Sequence, residues 1–187
     1  EVEYTSSIRR WLIENLPKLN IKVFVDAPCG DFNWMKLVLP KLDLNYTGLD
    51  IVPSLINKNN EDHGSDNIKF EISNICEDDL PACDLIMIRD CLFHLSFEDI
   101  DKVLNNLKSS DYKYLLTTTH LVDDVFENED ITSGDFRLID LFKSPFNFNR
   151  ANIISHIVDY PTGYPLKREM ILIKKEHVPN RLIYKES

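Results

Sequence analysis

The sequence predicts an α/β domain built on a seven-stranded, mostly parallel sheet, with an antiparallel C-terminal hairpin and helices on both faces. Three observations carry this. Five short β-prone runs alternate with helical or turn segments, the signature of a parallel sheet. The first two runs each finish in a carboxylate, Asp26 and Asp50, at the strand end where open α/β sheets hold ligands. The last two β-prone runs flank PTGYP, whose prolines and glycine suit the connection of a hairpin.

Taken in order, Ile8, Trp11, Leu12 and Leu16 fall at helical spacing, with Ser6 or Ser7 as a cap and Pro17 as the stop. Val23, Phe24 and Val25 suit a strand buried on both faces, which Asp26 closes. Phe32 to Leu39 is expected to be a short helix ending at Pro40. Asn45 to Asp50 (NYTGLD) is the second strand, Pro53 to Asn60 a helix, and Ile68 to Ile72 the third strand. Asp84 to Arg89 (DLIMIR) is the fourth. Ser96 to Asp99 resembles a capping box opening a helix that carries Ile100, Val103, Leu104 and Leu107 on one side. Lys113 to Thr118 is the fifth strand. The stretch 119–150 lacks clear periodicity, and a connection that long reads as a lid or an acceptor-binding insertion. Asn152 to Tyr160 and Arg168 to Lys174 form the hairpin, and 176–187 is expected to fray.

A chain of 187 residues fits one domain and buries about 70% of its unfolded surface around one core. Its apolar runs are only strand-length, so no membrane span is expected. Thirty-one acidic residues against 21 basic ones give a net charge of −10, which disfavours DNA and duplex RNA as partners. Cys29, Cys76, Cys83 and Cys91 show neither a CxxC pair nor zinc-ligand spacing, which suggests reduced thiols in a cytoplasmic protein. The chain starts at Glu1 without the layout of a secretory signal and is expected to be a fragment or a trimmed chain.

Residues 23–35, VFVDAPCGDFNWM, have the layout of a ligand-binding strand, turn and helix. Gly30 lets backbone approach a ligand, and Asp50, 20 residues further on, stands where a βαβ unit sets a carboxylate over ribose hydroxyls. The alternative is purely structural: Asp26 and Asp50 as caps, Gly30 as a bend and Asn74 as turn chemistry.

The ordered motifs DxPCGDFNWM, YxGxD, RDxLxHLS, YLLTTT and GDFRxIDLxxxPF cover nearly the whole chain. They resemble class I S-adenosylmethionine-dependent methyltransferases, with their Rossmann-like sheet, and most closely a group of small proteins often found with polysaccharide or capsule biosynthesis. The resemblance implies S-adenosylmethionine as cofactor and a small-molecule or saccharide acceptor. It implies that Asp26 and Gly30 lie beside the methionine end, Asp26 pairing its ammonium group, that Asp50 holds the ribose, that Ile51 packs on the adenine face and Asn74 and Ile75 address its edge, and that Ala27, Pro28, Trp34 and Arg89 are also cofactor-binding. Asn74 stands where the family commonly has Asp, and Pro28 and Cys29 replace the smaller residues of its glycine-rich turn. A nicotinamide-linked oxidoreductase would want GxGxxG, which is missing. A non-catalytic cofactor-binding partner subunit is the further alternative.

Methyl transfer needs an aligned acceptor and a base. Asp90 and His94, four residues apart, would share one face of a helical turn, which makes His94 the first candidate base and His120 the second. A structural cap made by the Asp90 and His94 pair is the competing reading. No metal is expected, because TTTH after the fifth strand supplies no Asp-Asn pair. Arg137, with Lys143 or Arg150, would suit a phosphate or carboxylate on the acceptor, for instance a phosphorylated metabolite.

Overall fold

The computed structural model describes residues 3–160 and 167–184. Among them are seven strands: β1 (Val23–Asp26), β2 (Asn45–Asp50), β3 (Ile68–Ile72), β4 (Leu85–Ile88), β5 (Tyr114–His120), β6 (Ile153–Val158) and β7 (Arg168–Lys174). They form one sheet in the order β3-β2-β1-β4-β5-β7-β6. β1 to β5 run parallel, and β7 lies antiparallel between β5 and β6. This is the predicted class. The PTGYP connection, 161–165, lies outside the described residues.

Side chains alternate across the sheet with the period of two that a strand imposes. Phe24, Leu85, Met87 and Leu116 pack on the face covered by α1 (Ser6–Asn15) and α2 (Pro53–His63). Val25, Ile86, Ile88 and Leu115 pack on the other, under α3 (Phe97–Ser109), where Ile100, Val103, Leu104 and Leu107 form the expected apolar stripe. All four β4 side chains are at most 1% exposed, each such burial contributing about 1.5–3 kcal/mol.

Several local expectations are corrected. Residues 32–39 form no α-helix; two 3-10 turns, Met35–Leu37 and Leu39–Lys41, stand there instead. Phe32 has φ +58°, outside the helical region, and Pro40 would clash with the carbonyl one α-turn before it. The cap position of α1 belongs to Thr5, whose hydroxyl accepts from Arg9 Nε at 3.1 Å. At α3 only half the capping box forms: Ser96 Oγ accepts from Asp99 N at 3.1 Å, while Ser96 N donates to Ser133 Oγ.

The 119–150 segment is anchored in the core by its 139–148 part, while much of 121–136 is exposed. Ile139 and Leu141 are fully buried and Phe146 is 1% exposed, all in the layer beneath α3. Nor is the region after Lys175 a loose tail through Tyr184: Leu182 is buried, its N–H donating to Asp101 Oδ1 at 2.7 Å.

Candidate functional site

The carboxyl edge of the sheet is organised by an interlock between DAPCGD and YTGLD. After β1 the chain crosses from β4 to β2: Ala27 N donates to Met87 O at 2.9 Å, and Cys29 N to Leu49 O at 2.8 Å, with a cis Ala27–Pro28 bond between. This lays Cys29 against Gly48, where an added Cβ would meet the Cys29 Cβ at 2.9 Å and the Phe70 ring at 2.8 Å. Only glycine fits that close approach. Gly30 follows with φ +58°; its N–H donates to Asp50 Oδ2 at 3.2 Å, and its carbonyl accepts from Asn59 Nδ2 at 2.8 Å.

Asp26 and Asp50, which end β1 and β2, are two of the four aspartates lining the resulting pocket, a cavity of about 700 Å³. Asp26 is 2% exposed; its Oδ2 accepts from Tyr46 Oη at 2.8 Å, and its Oδ1 is buried with no hydrogen-bond partner among the described residues. Burial pushes this carboxyl up to about 7, against the Tyr46 hydrogen bond and the nearby charge of Arg89. A buried orphan acceptor of this kind is a seat for a cation or a hydrogen-bond donor. Asp50 is no cap for α2, whose cap position is Val52 without a side-chain bond; its Oδ1 accepts from Val52 N at 3.0 Å. Beside it Ile51 stands 62% exposed, an apolar face at the rim.

The far wall is a ring of paired charges. Arg89 Nε donates to Asp159 Oδ2 at 2.9 Å and Arg89 Nη1 lies 2.9 Å from Asp90 Oδ2. Arg168 Nη1 lies 3.3 Å from Asp90 Oδ1, and its Nε donates to the Asp159 carbonyl at 2.9 Å. Asp159 is fully buried; burial pushes its carboxyl up, against the pull of Arg89 and Arg168. For Arg89, burial works against the charge, but Asp159 and Asp90 outweigh it and hold the guanidinium above its ordinary range. The Arg89 guanidinium lies 5.4 Å over the Trp34 ring and that of Arg168 5.8 Å over Tyr4. Asp90 itself has φ +53°, a strained conformation for a non-glycine residue.

Of the expected residues, the structure brings Asp26, Pro28, Gly30, Trp34, Asp50, Arg89 and Asp90 to this pocket. Ala27 is buried behind the turn. Asn74 does turn chemistry, its Oδ1 accepting from Cys76 N at 3.0 Å, and the Ile75 side chain belongs to the core. Neither lines the cavity.

The expected Asp90 and His94 pair does not form. The positive φ of Asp90 breaks helical continuity, and Leu92–His94 is a 3-10 turn, so residues four apart do not share a face. His94 Nδ1 lies 2.8 Å from Asp135 O; a carbonyl only accepts, so this nitrogen is the donor. His120 is buried, with Nδ1 accepting from Ile139 N at 3.1 Å, and burial lowers its pKa. Its ring joins β5 to the 119–150 segment. Arg137 is buried, donating from Nη1 to Leu95 O at 2.6 Å and lying 5.1 Å over Phe97; Arg150 lies 3.8 Å over Phe142. Lys143 Nζ donates to three carbonyls of residues 123–126. None of these residues lines the pocket, nor does any other from 119–150.

Sequence reasoning missed Tyr4, Thr5, Cys29, Asp31 and Arg168 in the pocket wall, and Asp159 paired with Arg89 behind it. A signal existed for Arg168: the first residue of a strand antiparallel to β5 must return to the carboxyl edge, here opposite His120. Among the described residues no group of three or more His, Cys, Asp or Glu side chains is arranged to hold a metal ion. No helix among them is long and apolar enough to cross a membrane.

No model of a known protein family matches this sequence, and no curated protein matches it. Solved structures do match in shape. The 1,6-didemethyltoxoflavin-N1-methyltransferase of Burkholderia thailandensis, solved with its substrate and S-adenosylhomocysteine, superposes with TM-score 0.67 at 13% identity, over 90% of this chain and 78% of that one. Magnesium protoporphyrin IX methyltransferase of Synechocystis PCC 6803 with S-adenosylhomocysteine gives 0.65 at 13% identity, over 91% and 81%. Human N-acetylserotonin methyltransferase in complex with S-adenosylmethionine gives 0.62 at 15%, over 91% of this chain but only 52% of its own. The chain likewise spans about half of the methyltransferases SibL and MmcR, at 55% and 54% of their lengths. At these identities the likeness is one of fold, and the fold is the Rossmann-like methyltransferase sheet.

Proposed function

We propose that this chain is an S-adenosylmethionine-dependent methyltransferase forming an O-methyl product on an uncharged, hydroxylated small molecule such as a sugar or glycan precursor. The observation that best supports it is the unpartnered, buried Asp26 Oδ1 in the same pocket as Gly30 and Asp50. Asp26 suits the cofactor's ammonium group, Asp50 suits vicinal ribose hydroxyls, and exposed Ile51 suits the adenine face. When bound, the cofactor supplies a methyl group already activated on a sulfonium. The chain's own task is to align an acceptor and receive its proton.

Asp90 is the leading group for that task, because its carboxylate faces the pocket and two guanidiniums hold it in place. His94 and His120, which do not line the pocket, are not assigned this task. Arg89 and Arg168 are already taken by carboxylates, and Arg137 and Arg150 lie elsewhere, which favours an uncharged acceptor over a phosphorylated one.

Titration calorimetry with S-adenosylhomocysteine tests the cofactor reading. Wild type is expected to bind and Asp50→Ala to lose at least about tenfold in affinity, equivalent to about 1.4 kcal/mol; absence of binding by wild type defeats the proposal. The distance of both histidines from the pocket favours a second reading, a non-catalytic cofactor-binding subunit. It is distinguished by methyl transfer from labelled cofactor to a panel of sugars: turnover abolished in Asp90→Asn, with cofactor affinity kept, favours the enzyme.

A further inference from the structure

At the opposite edge of the sheet a second cavity, of about 590 Å³, opens where β5 begins and β7 ends, Tyr114 and Lys174 being direct neighbours in the register. That volume lies within the roughly 300–1,000 Å³ range of small-ligand pockets. Its floor is apolar and firm: Leu104 of α3 is 2% exposed and Tyr112 4%. Val178 and Pro179 form the facing wall. That wall is built rather than draped, because Lys175 N donates to Lys113 O at 3.0 Å, Lys175 Nζ bonds the Ser110 carbonyl, and Val178 N closes a turn onto Lys175 O at 3.1 Å.

The charge of the lining runs against the rest of the molecule. Four lysines, at 108, 113, 174 and 175, meet one carboxylate, Glu176, on a chain with 31 acidic and 21 basic residues. Lys113 is held by Asp84 at 2.6 Å, but Asp84 lies outside the cavity and spends its other oxygen on the N–H groups of Lys22 and Val23. Glu176 is shared between Lys174 at 3.8 Å and His177 at 3.5 Å, and Lys108 makes no ion pair among the described residues. An anionic head therefore meets Lys108 and Lys174 with little competition; Lys175 Nζ already lies 5.4 Å over the buried Tyr112 ring, so a planar body meets the half-buried Tyr114 and Val178 instead.

We propose that this cavity is a second ligand site, for a small aromatic or otherwise planar molecule bearing a carboxylate, sulfonate or phosphate. It stands independently of the methyltransferase reading. The probe is 8-anilinonaphthalene-1-sulfonate, measured by calorimetry and amide chemical shifts on the full chain, with uncharged N-phenyl-1-naphthylamine as the comparison. The expected result is shift changes at Tyr112, Tyr114 and Val178, and an affinity at least about tenfold weaker in Lys108→Glu/Lys174→Glu. The uncharged analogue should change by less than about threefold. Asp26→Asn should leave sulfonate binding unchanged. The proposal is overturned if wild type fails to bind at millimolar probe, if the double charge reversal binds the sulfonate as wild type does, or if the shifts centre on the carboxyl edge. Lys108 and Lys174 are surface side chains, so thermal melting of the double variant should match wild type and exclude unfolding as the cause.

Discussion

At the carboxyl edge of the sheet, the described residues lining the pocket include four aspartates and two arginines; at the amino edge, four lysines and one glutamate. This polarity comes from the charged side chains at the two ends of the strands and in the last turn of α3. The two edges also hold their charges differently. Asp26 and Asp159 are buried, and Arg89, 11% exposed in its side chain, is paired with Asp159 and precedes the positive-φ Asp90, while the lysines sit nearer the surface over backbone without positive φ. Burial of charge costs free energy unless partners compensate, so the carboxyl edge should be fragile to substitution and the amino edge tolerant.

The largest break in that contrast should come from Asp159→Ala. It strands Arg89 and Arg168 without the carboxylate that sits between them, and removing one partner of a buried pair typically costs about 3–5 kcal/mol. Urea denaturation should show the midpoint falling with the slope unchanged. A loss below about 1 kcal/mol would mean that water or Asp90 compensates and that the ring is not buried in the sense argued.

Gly48→Ala should follow. Its new Cβ would sit 2.9 Å from the Cys29 Cβ and 2.8 Å from the Phe70 ring, and overpacking of this kind costs about 1–3 kcal/mol. The Cys29→Ala background should relieve only the 3.0 Å contact with Sγ, because that residue keeps its Cβ. Cys29→Gly should relieve it in part, and a double-mutant cycle reads the coupling. No coupling between the positions would separate the two motifs that the structure interlocks.

This interlock shows where sequence reading reached and where it stopped. The strand run, the α3 stripe and the hairpin were legible because periodicity of two or 3.6 is written locally. Asp26, Gly30 and Asp50 are legible as the ends of two parallel strands and the turn between them, although 3-10 turns and not an α-helix connect them. The pairing of Asp90 with His94 was not, since it assumed a helical turn that the positive φ of Asp90 forbids. Arg168 and Asp159 are less legible for another reason: Asp159 follows β6 and Arg168 opens β7, so both reach the carboxyl edge only once the C-terminal hairpin is laid beside β5, Asp159 lying 70 residues after Arg89. Cys29, which stands where the resembled family has a smaller residue, packs against Gly48, a contact that turn chemistry alone does not disclose.

Asp26 offers a subtler separation of the two edges, through pH. Its carboxyl is raised from 3.8 to about 7, so the folded chain keeps a proton that the unfolded chain has lost. Stability should therefore fall as pH rises from about 4 to about 7 and level off above, and Asp26→Asn should flatten that slope. Cationic ligands give the opposite sign. If the ammonium of S-adenosylhomocysteine sits at Asp26, binding favours the ionised carboxylate, and affinity should weaken towards tenfold per pH unit below about 7. Calorimetry in buffers of different ionisation enthalpy would show proton release on binding near neutrality. Proton uptake, or none, would remove Asp26 from the cationic seat.

The smallest effect tests the tolerant edge. Lys108→Ala and Lys174→Ala remove charges that have, respectively, no ion pair and one at 3.8 Å, so each should change stability by less than about 0.5 kcal/mol. The sign is informative. With net charge −10, deleting lysines increases self-repulsion across the whole surface, which favours a slight destabilisation at low salt that fades as salt rises. If the four lysines instead strain one another, deletion stabilises, again most at low salt. A chemical melt of each variant at two ionic strengths decides between these. Stabilisation would fit an amino edge that keeps mutually repelling cations at a cost in folding free energy, as a surface shaped to receive an anion would; destabilisation would leave the cavity's charge to be explained by the balance of the whole chain.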